Sequence, residues 1–289
     1  MLDSKDKKAK YINPYTDFGF KRLFGVEGNI DLLLDFLNQV LPRKYPIVEL
    51  TFGNTENIPE LEFERKAIFD IHCKDKTGDT FIVEMQKAKI KFFKDRALFY
   101  ITLPIRTQAQ KGTWNFELEP IYYLAILDFE YDEKEERRKF ERYVNLKDQD
   151  GDIFYDKLNF KFLQMPLFTK KENELVSQYD KWCFFLKHLE EFDEIPAILN
   201  EPIFQKAFKT AEIAKFSKEE YDKYQESLLN YIELKGVVDT SKEEGKTEEK
   251  IEIAKEMIKE NFPIQQIARL TKLSIDTIEK IINEMKNKP

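Results

Sequence analysis

The stretch FIVEMQKAK, residues 81 to 89, has the residue types of a β-strand but carries Glu84 and Gln86 two positions apart. Side chains of a strand alternate between faces, so the Glu84 carboxylate and the Gln86 amide share one face while Val83 and Met85 take the other. Upstream, RKAIFDIHCKD alternates in the same way, with Phe69, Ile71 and Cys73 on one side and Asp70 and His72 on the other. The KDKTGD between the two runs contains Gly78 and suits a hairpin turn. In a suitable register that hairpin sets Asp70 beside Glu84. Two carboxylates on adjacent strands can hold one Mg²⁺, whose remaining ligands are waters and substrate phosphates. This is an arrangement for phosphodiester hydrolysis. Gln86 can orient a water but cannot accept a proton or carry charge. Lys87 and Lys89 are odd-numbered and are expected on the opposite face for as long as the strand persists. The competing reading is a hairpin with one wetted face, where polar side chains need no chemistry.

Such a pair needs a scaffold, and the 289 residues are enough for one large domain with a smaller one. Hydrophobic residues make up 42% and charged residues 35%, with 25 Phe and 13 Tyr as core material, so a well-solvated globular chain is expected. The formal net charge of -7 lacks the basic footprint of a pure DNA-binding protein. It weighs less against a metal-dependent nuclease, because a bound cation inverts the local sign. Cys73 and Cys183 have no CxxC partner and read as reduced core thiols. The charged MLDSKDKKAK is followed by no apolar region, and no run of about 18 apolar residues occurs, so no membrane span and a cytoplasmic location are expected.

Along the chain, TDFGFKRLFG leads into NIDLLLDFLNQVL, where Ile30, Leu33, Leu34, Leu37 and Leu41 have helical spacing and Pro42 ends the run. IVELTFG, 47 to 53, reads as a strand, followed by the two strands of the hairpin. KFFKDRALFYITLPIRTQAQKG, 91 to 112, is helical up to Gly112, with Pro104 predicting a kink or break. PIYYLAILDFEY is apolar enough for a strand buried on both faces, DEKEERRK reads as a solvated connection, and ERYVNLKD and LNFKFLQMPLF as two more strands. The fold class is therefore α/β, a mixed sheet with flanking helices. From about 172 strand signals vanish and an all-helical region follows. The charged TSKEEGKTEEK, 240 to 250, reads as a flexible linker or a solvated helix.

YTDFGFKRLFG, LLLDFLNQVL, FDIHCKDKTGDTFIVEMQ and DRALFY, in that order, resemble the Rpn family of recombination-promoting nucleases, also catalogued as transposases of the PD-(D/E)xK nuclease superfamily. The likeness is good over residues 11 to 130 and looser beyond. It implies a restriction-endonuclease-like core and a metal-dependent DNA endonuclease using Mg²⁺ or Mn²⁺, tied to recombination or mobile elements. Carried over by position, Asp70 matches the metal-binding Asp and Glu84 the second acidic ligand. Gln86 falls where the wider superfamily has Lys, and Gln is usual in this family. Asp17 matches a recurrent acidic position and is a further candidate ligand, while Lys21 and Arg96 match recurrent basic ones. The Met85 carbonyl, between the two site residues, is a candidate third ligand.

Arg96 and Tyr100 are i, i+4 neighbours on one helical face, able to contact a DNA phosphate or to pack with each other. His72 reads as a surface or supporting residue, since one distant second His makes a zinc site improbable. IQQIARLTKLSIDTIEKI has the pattern of a helix-turn-helix with Ser274 as N-cap, but Asp276, Glu279 and Glu284 suit phosphates poorly, favouring a packing or oligomerisation hairpin. The expected organisation is a disordered leader at 1–10, a nuclease core at 11–170, a helical region at 171–239, a charged linker at 240–250 and a helical hairpin at 251–289. DNA is the expected partner, with homo-oligomerisation open and no membrane. The alternative functions are a nuclease-derived DNA-binding or interaction module with little turnover, and a scaffold that merely bears polar strands.

Overall fold

The computed structural model describes residues 9–53, 70–108, 115–131 and 138–286. The expected leader up to residue 8, the hairpin residues before Asp70 including Phe69, the stop at Gly112 and most of DEKEERRK lie outside these residues.

The first element, α1 (Asp17–Phe24), was not expected as a helix. Thr16 caps it by accepting the Gly19 N–H, and Phe20, Leu23 and Phe24 form its buried face. Position 19 must be glycine, because a Cβ there would collide with the Asn13 carbonyl oxygen and the Thr16 hydroxyl. α2 (Ile30–Val40) follows, burying Leu33, Phe36 and Leu37, and the expected strand around 47–53 shortens to β1 (Leu50–Phe52). β2 (Ile71–Asp75) and β3 (Thr80–Gln86) form the hairpin, with Gly78 at φ 95 in its turn. Asp75 Oδ1 accepts from the Thr77 and Asp79 N–H groups and so pins that turn. α3 (Phe93–Gln108) runs through Pro104, which is buried, rather than ending there. β4 (Ile121–Leu127) is followed by the long hairpin of β5 (Glu141–Lys147) and β6 (Ile153–Gln164).

The sheet order is β1-β2-β3-β4-β6-β5. β1, β2 and β3 pair antiparallel, β3, β4 and β6 parallel, and β5 closes the edge antiparallel to β6. The two central strands are buried on both faces, as their apolar runs predict. Phe81, Val83, Met85, Leu124 and Ile126 face one core, shared with α1, α2 and the later helices. Ile82, Tyr123, Ala125 and Leu127 face a second core closed by Phe93, Ala97 and Ile101 of α3. Glu84 and Gln86 are in phase with Ile82 and therefore lie on the α3 side.

Beyond the sheet come α4 (Gln178–His188), α5 (Pro202–Ala211), α6 (Lys218–Lys259), α7 (Ile264–Thr271) and α8 (Ile275–Lys286). Trp182, Phe185, Phe204, Phe208 and Tyr224 from this region join the first core. A capping box starts α6: Ser217 Oγ accepts the Glu220 N–H, and Glu220 accepts the Ser217 N–H. α6 continues through 240–250, so of the two readings of that charged stretch, linker or solvated helix, the helix is the one present. It ends before Asn261 at φ 63 and Pro263. The chain forms two compact units that divide between Tyr231 and Ile232. The second has its own core of Ala254, Ile267, Ile278 and Ile281. In it α7 turns through Lys272 at φ 58, and Ser274 caps α8 by accepting the Thr277 N–H. Among the described residues no helix is long and apolar enough to cross a membrane.

Candidate active site

The register Ile71↔Val83, continued by one residue, sets Asp70 opposite Glu84 where β2 gives out and β3 runs on. Their hydrogen bonds interlock. The Met85 N–H donates to Asp70 Oδ2 at 2.6 Å, and the Asp70 N–H donates to Glu84 Oε1 at 3.2 Å. Gln86 Nε2 donates to Glu84 Oε2 at 2.9 Å. The Gln86 carbonyl accepts from Asp128 beyond β4, so the backbone of Gln86 faces β4 and that of Met85 faces Asp70's side. The Met85 carbonyl thus opens beside the Asp70 carboxylate. Gln86 is buried, and its amide supports Glu84.

From α3, an Arg96 guanidinium nitrogen reaches Glu84 Oε2 at 3.7 Å, while Arg96 Nε donates to the Tyr100 hydroxyl at 2.8 Å. The guanidinium also lies over the Tyr100 ring, 4.9 Å from its centroid. Of the two roles open for this pair, packing with each other is therefore realised, and Arg96 in addition faces the buried acid.

The acidic pair is electrostatically uncomfortable. Glu84 is fully buried; burial, and then the Asp70 charge, push its carboxyl up to about 8 against the pull of Arg96. Asp70 is also raised, chiefly by burial, with Asp17 adding to the rise and the Met85 N–H, Lys21 and Lys87 opposing it. A buried and a half-buried carboxylate that repel each other, beside a backbone carbonyl, are an all-oxygen donor set that a hard divalent cation fits. Among the described residues no three His, Cys, Asp or Glu side chains converge on one point. Asp17 lines the same cavity as Asp70 and bridges Lys21 at 3.0 Å. His72 is half-buried against Gly53, and burial, then Lys74, lower its pKa to about 4, leaving it neutral.

Asp70 opens onto a cavity of about 700 Å³ lined by Asp17, Lys21 and Arg22 of α1, by Lys87, and by Lys223, Ser227 and Asn230 of α6. The α6 wall is held to α1 by Ser227 Oγ accepting the Phe18 N–H at 3.1 Å and by Arg22 pairing with Glu220 at 2.6 Å. Sequence reasoning missed these α6 residues. Their only signal is the spacing i, i+4, i+7, which puts Lys223, Ser227 and Asn230 on one helical face. Lys87 is in phase with Met85, on the α1 side of the sheet and away from Glu84 and Gln86, and just past the end of β3 it lines the same cavity as Asp70.

A family model described as PD-(D/E)XK nuclease family transposase matches residues 14–241, and the chain belongs to that family. The match runs from before α1, through the Asp70–Gln86 hairpin and α3, into α6. Neither the curated proteins nor the solved structures compared with the chain give a match.

Proposed function

We propose that this nuclease-family protein is a metal-dependent DNA endonuclease hydrolysing phosphodiester bonds, in the service of recombination or mobile-element movement. The observation that carries the reading is the interlocked Asp70–Glu84 pair, whose Asp70 lines the cavity. Asp70, Glu84 and the Met85 carbonyl would hold Mg²⁺ or Mn²⁺. Bound there, the cation would polarise a phosphate and lower the pKa of a coordinated water.

The chain's own residues do the rest. Asp70 Oδ2 is fixed by the Met85 N–H, and Oδ1 has no partner among the described residues, so it is the oxygen presented to a ligand. Gln86 fixes the direction of Glu84 and holds it ready to accept a positive charge. Arg96 offsets part of the Glu84 charge from the α3 side, and its half-exposed side chain can also meet a phosphate. Lys21 lies on the cavity wall, where it can take a DNA phosphate from Asp17. A cytoplasmic location goes with this reading.

The test is nicking of supercoiled plasmid by purified protein with Mg²⁺ or Mn²⁺, beside EDTA and Asp70→Ala. Metal-dependent nicking lost in the variant is the expected result. One observation favours the second reading, a DNA-binding module with little turnover: Glu84 is fully buried and both its oxygens are already engaged within the protein. Folded wild-type protein that binds plasmid but cuts it with neither metal would favour that module.

A further inference from the structure

The cavity beside Asp70 presents four cationic side chains: Lys21, Arg22, Lys87 and Lys223. Three are neutralised within the protein. Lys21 bridges Asp17 at 3.0 Å, Arg22 bridges Glu220 at 2.6 Å and Lys223 bridges Glu219 at 2.6 Å. Lys87 makes no hydrogen bond or ion pair with any described residue, although it lies close enough to Asp70 to bear on that carboxylate. Its backbone is flanked by buried Gln86 and buried Ala88, just past the end of β3.

Lys87 is half-buried on the wall of the cavity, and an anion delivered there would find in it a donor for a charge-assisted hydrogen bond. The side chain next to it in sequence, Gln86, has no charge and is directed at Glu84. A phosphodiester approaching Asp70 therefore meets in Lys87 a cation that, among the described residues, has no internal ion pair to be broken first.

We propose that Lys87 contacts a non-bridging oxygen of the phosphate that reacts at Asp70, and that the DNA backbone enters between α1 and the first turns of α6. The proposal rests on the nuclease reading above. It makes Lys87 a substrate-contacting residue and the wall of Lys223 and Asn230 the surface along which the strand lies.

The experiment compares wild type with Lys87→Met, Lys87→Arg and, as a control on the exposed end of β5, Lys147→Met. Single-turnover cleavage in Mg²⁺ should fall about 10²-fold in Lys87→Met, the range seen when one charge-stabilising donor is removed, and recover largely in Lys87→Arg. A second readout uses the Glu84→Gln background, where cleavage is off. There Lys87→Met should weaken binding of a duplex oligonucleotide and lower the slope of log Kd against log salt by about 1. Lys147→Met should change neither. If Lys87→Met unfolds, Lys87→Gln takes its place in both assays.

Wild type that cleaves while Lys87→Met matches it in rate and salt slope overturns this proposal and leaves the nuclease reading standing. A rate loss without a change in salt slope also overturns it, because it would mean a disturbed strand end rather than a lost phosphate contact. Folded wild type that cuts with neither Mg²⁺ nor Mn²⁺ overturns the nuclease reading, and this proposal with it.

Discussion

Two buried polar clusters sit in the same sheet and have opposite electrostatic character. At the β5–β6 edge, Lys161 is almost wholly buried and uses all three ammonium donors: on the Val40 carbonyl at 2.7 Å, on Glu141 at 2.9 Å and on the Tyr143 hydroxyl. Tyr179 donates to the same Glu141 carboxylate at 2.8 Å, and its ring and that of Tyr143 both lie under the ammonium. Burial pushes the Glu141 carboxyl up, but the hydrogen bonds from Lys161 and Tyr179 outweigh it and hold it below its ordinary value. At the hairpin, Asp70 and Glu84 are both raised. One cluster is balanced by opposite charge within the protein. The other carries like charges, offset in part by Arg96, beside a cavity. Buried charge by itself marks neither function nor stability; whether the charge is internally answered separates the two.

That contrast can be broken at either end. The largest effect is expected from Asp70→Asn, which should reduce metal-dependent cleavage about 10³-fold, near 4 kcal/mol of barrier, while the melting temperature holds or rises. Nicking assays beside thermal melts decide it. Lys161→Met should do the reverse, costing about 3 kcal/mol in urea unfolding because the acid and carbonyl lose their cation, with cleavage per folded molecule unchanged. If Lys161→Met unfolds no more easily than wild type, the edge cluster is not structural and the comparison fails.

Saturating Mg²⁺ should stabilise the wild type by about 2.7 kcal/mol at a hundred times Kd and leave Glu84→Gln unmoved, read as a shift in the unfolding midpoint. Equal shifts in both proteins would remove Glu84 from the ligand set. Without metal, Glu84→Gln should be the more stable protein at pH 8 by about 1–2 kcal/mol. The sign follows from the raised folded-state pKa of Glu84. Its contribution is fully present below the ordinary glutamate pKa of about 4.3 and is lost as pH rises through about 8. Glu141 runs the other way: its contribution is present above the ordinary pKa and lost as pH falls through its lowered one. Urea midpoints at several pH values would therefore show the wild type declining toward alkaline pH more steeply than Glu84→Gln. The smallest effect is expected from Tyr179→Phe, about 1 kcal/mol for one hydrogen bond to a charged acceptor that keeps its lysine.

The local pattern made part of this legible. Period-two alternation through Ile71–Asp75 and Thr80–Gln86, with Gly78 between, was enough to propose the hairpin and to put Asp70 on Glu84's face. The run IYYLAIL announced a central strand. α1 escaped notice because it is eight residues long, and its boundary depends on the Thr16 cap and on room at Gly19 rather than on apolar periodicity. The charged stretch 240–250 stayed open between linker and solvated helix because it has no apolar face of its own and is carried by helix on both sides. The roles of Gln86 and Arg96 were ambiguous because spacing reports which residues are neighbours and not which atoms they direct at one another.

The sequence by itself determined the alternation, the turn and the order of motifs, because those depend on residues a few positions apart and on backbone stereochemistry. It thereby determined that an Asp and a Glu would share a strand face. Only the tertiary structure decided that this face would be sealed by α3, that α6 would wall the cavity opposite α1, and that Lys21, Arg22 and Lys223 would be paired while Lys87 has no ion pair among the described residues. Those outcomes turn on where β3 stops and on contacts between segments far apart in the chain. Packing of the whole core sets them, and no local period encodes them.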